Sequence, residues 1–197
     1  MKQLILRGEP GAKWAFYLNP KVASTSIASS LPEDKQNRIL NSSDSEVSGP
    51  DWFRFSFVRH PYDRLVSWWL NKVCLDRGAS ERYRRKWHWG CKQAFSDVVA
   101  EVYARYRSGV ELDWHLAPQS EVIPAHKMSF IGKFENLGRD WEHIMKLIPE
   151  AKPLNRYNVS EGRDAWPIYI NQLSPRTQER LFRIYKNDFR IFGYESE

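Results

Sequence analysis

The apolar run Trp14-Ala-Phe-Tyr-Leu18 breaks directly into Asn19-Pro-Lys-Val-Ala-Ser-Thr-Ser-Ile27. Five successive apolar residues with an aromatic bias read as a buried strand. Asn-Pro opens a turn, and the hydroxyl residues Ser24 to Ser26 suit the start of a helix. A strand that feeds a turn and then a helix is the building unit of α/β folds. The same transition recurs further on. Phe53-Arg-Phe-Ser-Phe-Val58 alternates phenylalanine with smaller residues, as a strand does, and Pro61 suits the first turn of a following helix.

The rest of the chain fits the alternation. Residues 2–6 read as a short edge strand, and Pro32 stops the first helix. Residues 33–51 are polar, contain Gly49-Pro50 and read as a loop. After Pro61, helical spacing turns Tyr62, Leu65, Val66 and Trp69 toward a core and leaves Asp63 and Ser67 on another face. Helices are expected over 94–106 and 137–148, and a strand over 128–134. Residues 108–127 and 149–173 read as irregular. Ser174-Pro175 caps a last helix that runs to about residue 188. Strands alternating with helices predict an α/β fold with a central, mostly parallel sheet flanked by helices, as a single domain over 1–197.

Composition narrows the class of partner. The 197 residues carry a net charge of +6, which suits an anionic ligand and equally a solvated basic surface. No window approaches the ~20 apolar residues of a membrane span. Met1-Lys-Gln-Leu-Ile-Leu-Arg7 is charged too soon for a signal peptide. The expectation is a cytoplasmic protein, with the Golgi lumen the setting only if an anchor had been removed. Cys74 and Cys91 offer no metal spacing and no disulfide framework, and leave one bridge open.

Two segments carry chemistry. The stretch 19–27 holds Lys21 and the hydroxyls of Ser24, Thr25 and Ser26 around Val22 and Ala23, and it contains no glycine. A turn into a helix offers free N–H groups to an anion, and Lys21 adds a full charge. The bland alternative is a capped helix with a surface lysine. In the second segment Arg59 follows a strand end, where open α/β sheets bind ligands, and arginine pairs a phosphate bidentately. Ser67 on the next helix can serve the same group. The alternative is a local ion pair for Arg59 and a solvent-facing Ser67. Two anion sites at adjacent strand ends suit a nucleotide phosphorylated at both ends of its ribose.

Pro-Lys-Val-Ala-Ser-Thr-Ser at 20–26 and Phe-Val-Arg-His-Pro-Tyr-Asp-Arg-Leu-Val-Ser at 57–67 resemble the 5′-phosphosulfate loop and the 3′-phosphate motif of the carbohydrate sulfotransferase family. His115-Leu-Ala-Pro-Gln119, Phe130-Ile-Gly-Lys-Phe-Glu-Asn-Leu137 and the stretch 181–194 are similar to further segments of that family, in order. The likeness spans about residues 14–194. It implies a P-loop-like three-layer domain and 3′-phosphoadenosine 5′-phosphosulfate as donor, with 3′-phosphoadenosine 5′-phosphate as product. It implies that Lys21 meets the 5′-phosphate and its leaving oxygen, that Val22 to Ser26 line the same loop, and that Arg59 and Ser67 hold the 3′-phosphate. Phe134 matches a position that packs on adenine, and His115 that of a general base. The match is loose at 154–160.

The chemistry agrees with those roles. Sulfuryl transfer builds charge on the leaving oxygen, where a cation stabilises the transition state. A neutral histidine can take the acceptor's proton near pH 7. No metal is required. His88 is the rival base, because it lies between Trp87 and Trp89 in a basic stretch with Arg85 that can serve as an acceptor surface or as a solvated loop. His60 is expected to be structural. The partner expected is a hydroxyl compound, a carbohydrate, rather than a nucleic acid. Two other readings stand beside it. A nucleotide kinase lacks support, since no Gly-x-x-x-x-Gly-Lys-[Ser/Thr] pattern occurs. A non-catalytic binder of anionic glycan or nucleic acid leaves the two anion motifs unexplained.

Overall fold

The computed structural model of the chain describes residues 4–8, 12–32, 38–40, 47, 49–74, 94–155 and 166–196. Its strands are β1 (Leu4–Arg7), β2 (Trp14–Tyr17), β3 (Arg38–Leu40), β4 (Phe53–Val58) and β5 (Phe130–Lys133). Its helices are α1 (Ser24–Ser30), α2 (Pro61–Trp69), α3 (Phe95–Arg107), α4 (Gln119–Val122), α5 (Leu137–Leu147), α6 (Trp166–Asn171) and α7 (Pro175–Phe192). The chain divides into two compact units, Met1–Arg59 with Gln119–Val159 and His60–Pro118 with Ser160–Glu197.

The first unit holds the sheet, in the order β3-β1-β2-β4-β5. β2, β4 and β5 pair in parallel, and β1 runs antiparallel to both its neighbours. Only β1 therefore runs against the rest, and the mostly parallel sheet of an α/β fold is what the sequence led us to expect. Two details differ. β1 is not an edge, because β3 pairs with its outer side through Leu4↔Leu40 and Ile5↔Ile39. β3 itself lies in the stretch read as loop, since three residues are too few to display a period.

Side-chain alternation places Phe53, Phe55 and Phe57 on one face of β4. Phe55 is the register partner of Phe16 on β2, and their rings stack at 5.2 Å. This face forms a core with Trp14, Val22, Ile27, Leu31, Trp141 and Ile144, so α1 and α5 cover it. Each fully buried large apolar side chain contributes roughly 1.5–3 kcal/mol. Gly132 on β5 sits opposite Phe57, and a Cβ there would overlap the Phe57 ring. The glycine lets that ring lie across β5. On the other face Ile5, Ala15, Tyr17 and Val47 pack together, and the buried Ser56 Oγ donates to the Tyr17 carbonyl at 2.7 Å.

The second unit is helical. In α2, Pro61 takes the first turn, and a π-type turn, Leu70–Cys74, continues the helix. Tyr62, Leu65 and Val66 are buried as expected, but so are Asp63, Arg64, Ser67 and Trp68, while Trp69 is only half-buried. α2 is thus a core helix without a solvent face. α7 starts where Ser174 Oγ accepts from the Thr177 N–H at 3.3 Å. It runs past the expected end to Phe192, where Gly193 at φ 62° supplies a left-handed cap. α6 occupies part of the stretch 149–173 that read as irregular, and α4 part of 108–127. Among the described residues no helix is long and apolar enough to cross a membrane. Cys74 is an exposed thiol, and Cys91 lies outside the described residues.

Candidate functional site

The turn after β2 does without glycine what such turns usually do with it. Lys21 has φ 71° and Ala23 φ 61°, both left-handed. That conformation costs about 1–2 kcal/mol per residue when a Cβ is present. Backbone held in such a region marks a constrained, often functional, turn. Its anchors are Asn19 and Val22, both fully buried. Asn19 Nδ2 donates to the Phe57 carbonyl at 2.9 Å and to Gln119 Oε1 at 2.8 Å. α1 then begins at Ser24 with Ala23 as its N-cap and no side-chain cap bond. The N–H groups of a helix's first turn have no acceptor within the helix, and here they belong to Ser24, Thr25 and Ser26. Lys21 and Ser24 are half-buried, Thr25 is exposed and Ser26 is buried.

β4 is the parallel neighbour of β2, and Arg59 follows its last residue. Arg59 is 4% exposed. Its Nη1 donates to the Lys21 carbonyl at 3.2 Å, and its guanidinium lies 4.2 Å from the centre of the Phe134 ring. Phe134 opens the 3-10 turn Phe134–Asn136 that follows β5. The segments that follow three consecutive parallel strands therefore carry Lys21, Arg59 and Phe134, and the first unit brings these predicted residues together. The Arg59 main chain is held as well. Its N–H donates to Gln119 Oε1 at 3.0 Å, and its carbonyl accepts from Gln119 Nε2 at 2.8 Å.

The second unit holds His115 and Ser67. His115 Nδ1 is 2.7 Å from Asp113 Oδ1, and the same oxygen accepts from the His115 N–H at 3.1 Å. A carboxylate on Nδ1 keeps the proton there and leaves Nε2 with its lone pair. Burial pushes the His115 pKa below its usual 6.5, and Asp113 offsets only part of that effect. The ring is therefore neutral at pH 7. Its loop is gripped by three carbonyls. Arg64, 1% exposed, donates to the Ala117 and Trp114 carbonyls at 2.9 Å each. Tyr185 Oη donates to the Leu116 carbonyl at 2.8 Å. Ser67 is 4% exposed on α2, so it does not face solvent.

Sequence reading missed Asn19, Gln119, Asp113 and Arg64. Asn19, Gln119 and Arg64 lay inside segments already singled out, but nothing in one chain pairs residue 19 with residue 119. Asp113 had a local signal, two residues before His115. His88, Trp87, Trp89 and Arg85 lie outside the described residues. His60 is packed as a structural residue: it stacks on Trp166 at 4.2 Å and meets Tyr62, Phe189 and Tyr194 edge-on. His126 and His143 are exposed. Among the described residues no group of three or more His, Cys, Asp or Glu could hold a metal.

Known proteins resemble this chain over most of its length. Residues 14–195 match the sulfotransferase family. Carbohydrate sulfotransferase 11 of Danio rerio is 25% identical over 166 residues, which cover 73% of this chain and 47% of that protein. The Rattus norvegicus protein of the same name is 25% identical over 169 residues, with the same coverage. Carbohydrate sulfotransferase 9 of Homo sapiens is 22% identical over 164 residues, 70% of this chain and 36% of that protein. The chain thus spans about half the length, or less, of these relatives. No solved structure matches. With a family match that takes in β2, the Lys21 turn, Arg59 and the His115 loop, the chain belongs to the sulfotransferase family.

Proposed function

We propose that the chain transfers a sulfuryl group from 3′-phosphoadenosine 5′-phosphosulfate to a hydroxyl of a carbohydrate, with residues 1–197 acting as one domain. The observation that carries this is the bond from Arg59 Nη1 to the Lys21 carbonyl, 3.2 Å long. It joins the two segments that resemble phosphate motifs. The donor set fits a doubly anionic nucleotide: an ammonium, a guanidinium, hydroxyls and first-turn N–H groups, with no acidic residue in 19–27. The carbohydrate acceptor is supported by the names of the relatives.

When bound, the donor supplies an activated sulfuryl group whose departure leaves charge on a phosphate oxygen. Lys21 is assigned to that oxygen, where its charge lowers the barrier more than it aids ground-state binding. Ser24, Thr25 and Ser26 hold the same phosphate with hydroxyl and main-chain N–H groups. Arg59 would hold the 3′-phosphate with its guanidinium, and Ser67 is assigned to the same group. Phe134 carries Arg59 on one face of its ring and is assigned to the adenine. His115 takes the acceptor's proton on Nε2, and Asp113 stabilises the imidazolium that results.

The experiment is transfer of labelled sulfate from this donor to a panel of glycans, lipids and small alcohols. Label on a glycan with the wild type, and none with Lys21→Ala, is the expected result. Equal transfer by Lys21→Ala overturns the role of Lys21, and label confined to lipids or alcohols overturns the carbohydrate acceptor.

A further inference from the structure

We propose that Gln119 is a positioning residue that sets the preference for a 3′-phosphate by fixing the main chain of Arg59. This rests on the assignment of Arg59 to that phosphate. Arg59 stands just beyond the sheet: pairing of β4 with β5 stops at Val58↔Lys133, and pairing with β2 at Phe16↔Phe55. Past the last register pair, the ladder no longer sets the direction of the chain. Gln119 takes that place with a side chain. Its Nε2 donates to the Arg59 carbonyl at 2.8 Å, and its Oε1 accepts from the Arg59 N–H at 3.0 Å.

The same Oε1 accepts from Asn19 Nδ2, which also donates to the Phe57 carbonyl. Both acceptor positions of Oε1 are thereby used. Asn19 and Gln119 are fully buried and Arg59 nearly so, in surroundings where such bonds are stronger than in water. The grip therefore ties the entry of the Lys21 turn, the end of β4 and the start of α4 into one rigid piece. The guanidinium then has only its own torsions to settle, and Lys21 O and the Phe134 ring restrain those. Only an amide offers a donor and an acceptor side by side in one plane, and Asn is one methylene shorter.

Calorimetry with 3′-phosphoadenosine 5′-phosphate and with adenosine 5′-phosphate tests this, read as the ratio of the two affinities. Gln119→Met keeps the volume and removes all three bonds, two to the Arg59 main chain and one from Asn19. It is expected to lower the ratio about tenfold; affinity for adenosine 5′-phosphate falls less, because Asn19 at the entry of the Lys21 turn keeps its bond to the Phe57 carbonyl. In an Arg59→Ala background the same change leaves the ratio unmoved. Gln119→Glu keeps both accepted bonds but sets a carboxylate oxygen against the Arg59 carbonyl, so it also lowers the ratio; it carries the test if the methionine variant does not fold. A folded variant with the wild-type ratio overturns the proposal, and so does an equal drop in the Arg59→Ala background. A wild type without preference for the 3′-phosphate overturns the assignment of Arg59 itself, and the role of Gln119 with it.

Discussion

Asp113 Oδ1 lies 2.7 Å from His115 Nδ1, and the two side chains are 13% and 19% exposed. The contact is local, two residues apart, and nearly shielded from water. Asp113→Asn keeps the shape but replaces an acceptor with an amide that can turn its N–H toward the ring, which favours the wrong tautomer. Turnover is expected to fall roughly 10²–10⁴-fold, the usual contribution of a general base. Nucleotide affinity by calorimetry should stay at the wild-type value, because the residues assigned to the nucleotide's phosphates keep their own contacts.

The depressed pKa of His115 gives two pH effects of defined sign. The neutral ring is the active form, so the acid limb of the rate profile should have its midpoint below 6.5. In the unfolded chain the histidine binds a proton near its ordinary value, and in the folded chain only at lower pH. Acidification from 6.5 toward the folded value therefore favours unfolding. Urea unfolding at about pH 7.5 and about pH 5.5 should show a smaller loss of stability in His115→Gln than in the wild type. Equal losses would remove His115 from that linkage.

Arg64 is a buried cation that donates to two carbonyls of the loop that carries His115. Arg64→Met leaves the Ala117 and Trp114 carbonyls without that donor. A cost of about 2–4 kcal/mol is expected in urea unfolding. Turnover should also fall, as His115 loses its rigid setting.

Ala23 occupies a conformation that suits glycine, at φ 61°. Ala23→Gly should raise stability by about 0.5–1 kcal/mol, since relief of the Cβ clash outweighs the added freedom of the unfolded chain. Ala23→Val should lower it, because branching at Cβ worsens the clash. A drop in stability for the glycine variant would mean that the turn is not strained at this position.

Long periodic segments were legible in the sequence. β2, β4, α3, α5 and α7 announce themselves by spacing, and the two phosphate-like segments by residue type. β3 was not, because three residues paired to a distant strand carry no local signature. α2 reads as amphipathic, yet its polar side is buried around Asp63, Arg64 and Ser67. The Asn19–Gln119 bond joins residues a hundred positions apart, and only the tertiary fold creates it. The positive φ of Lys21 and Ala23 was hidden because the usual sign, glycine, is absent.

Sulfuryl transfer from a doubly phosphorylated nucleotide stands or falls on the paired anion sites at Lys21 and Arg59. Calorimetry of the wild-type chain with 3′-phosphoadenosine 5′-phosphate against adenosine 5′-phosphate measures this directly. Markedly tighter binding of the 3′-phosphorylated nucleotide, lost in Arg59→Ala, is the predicted result. Equal binding of the two nucleotides would contradict it.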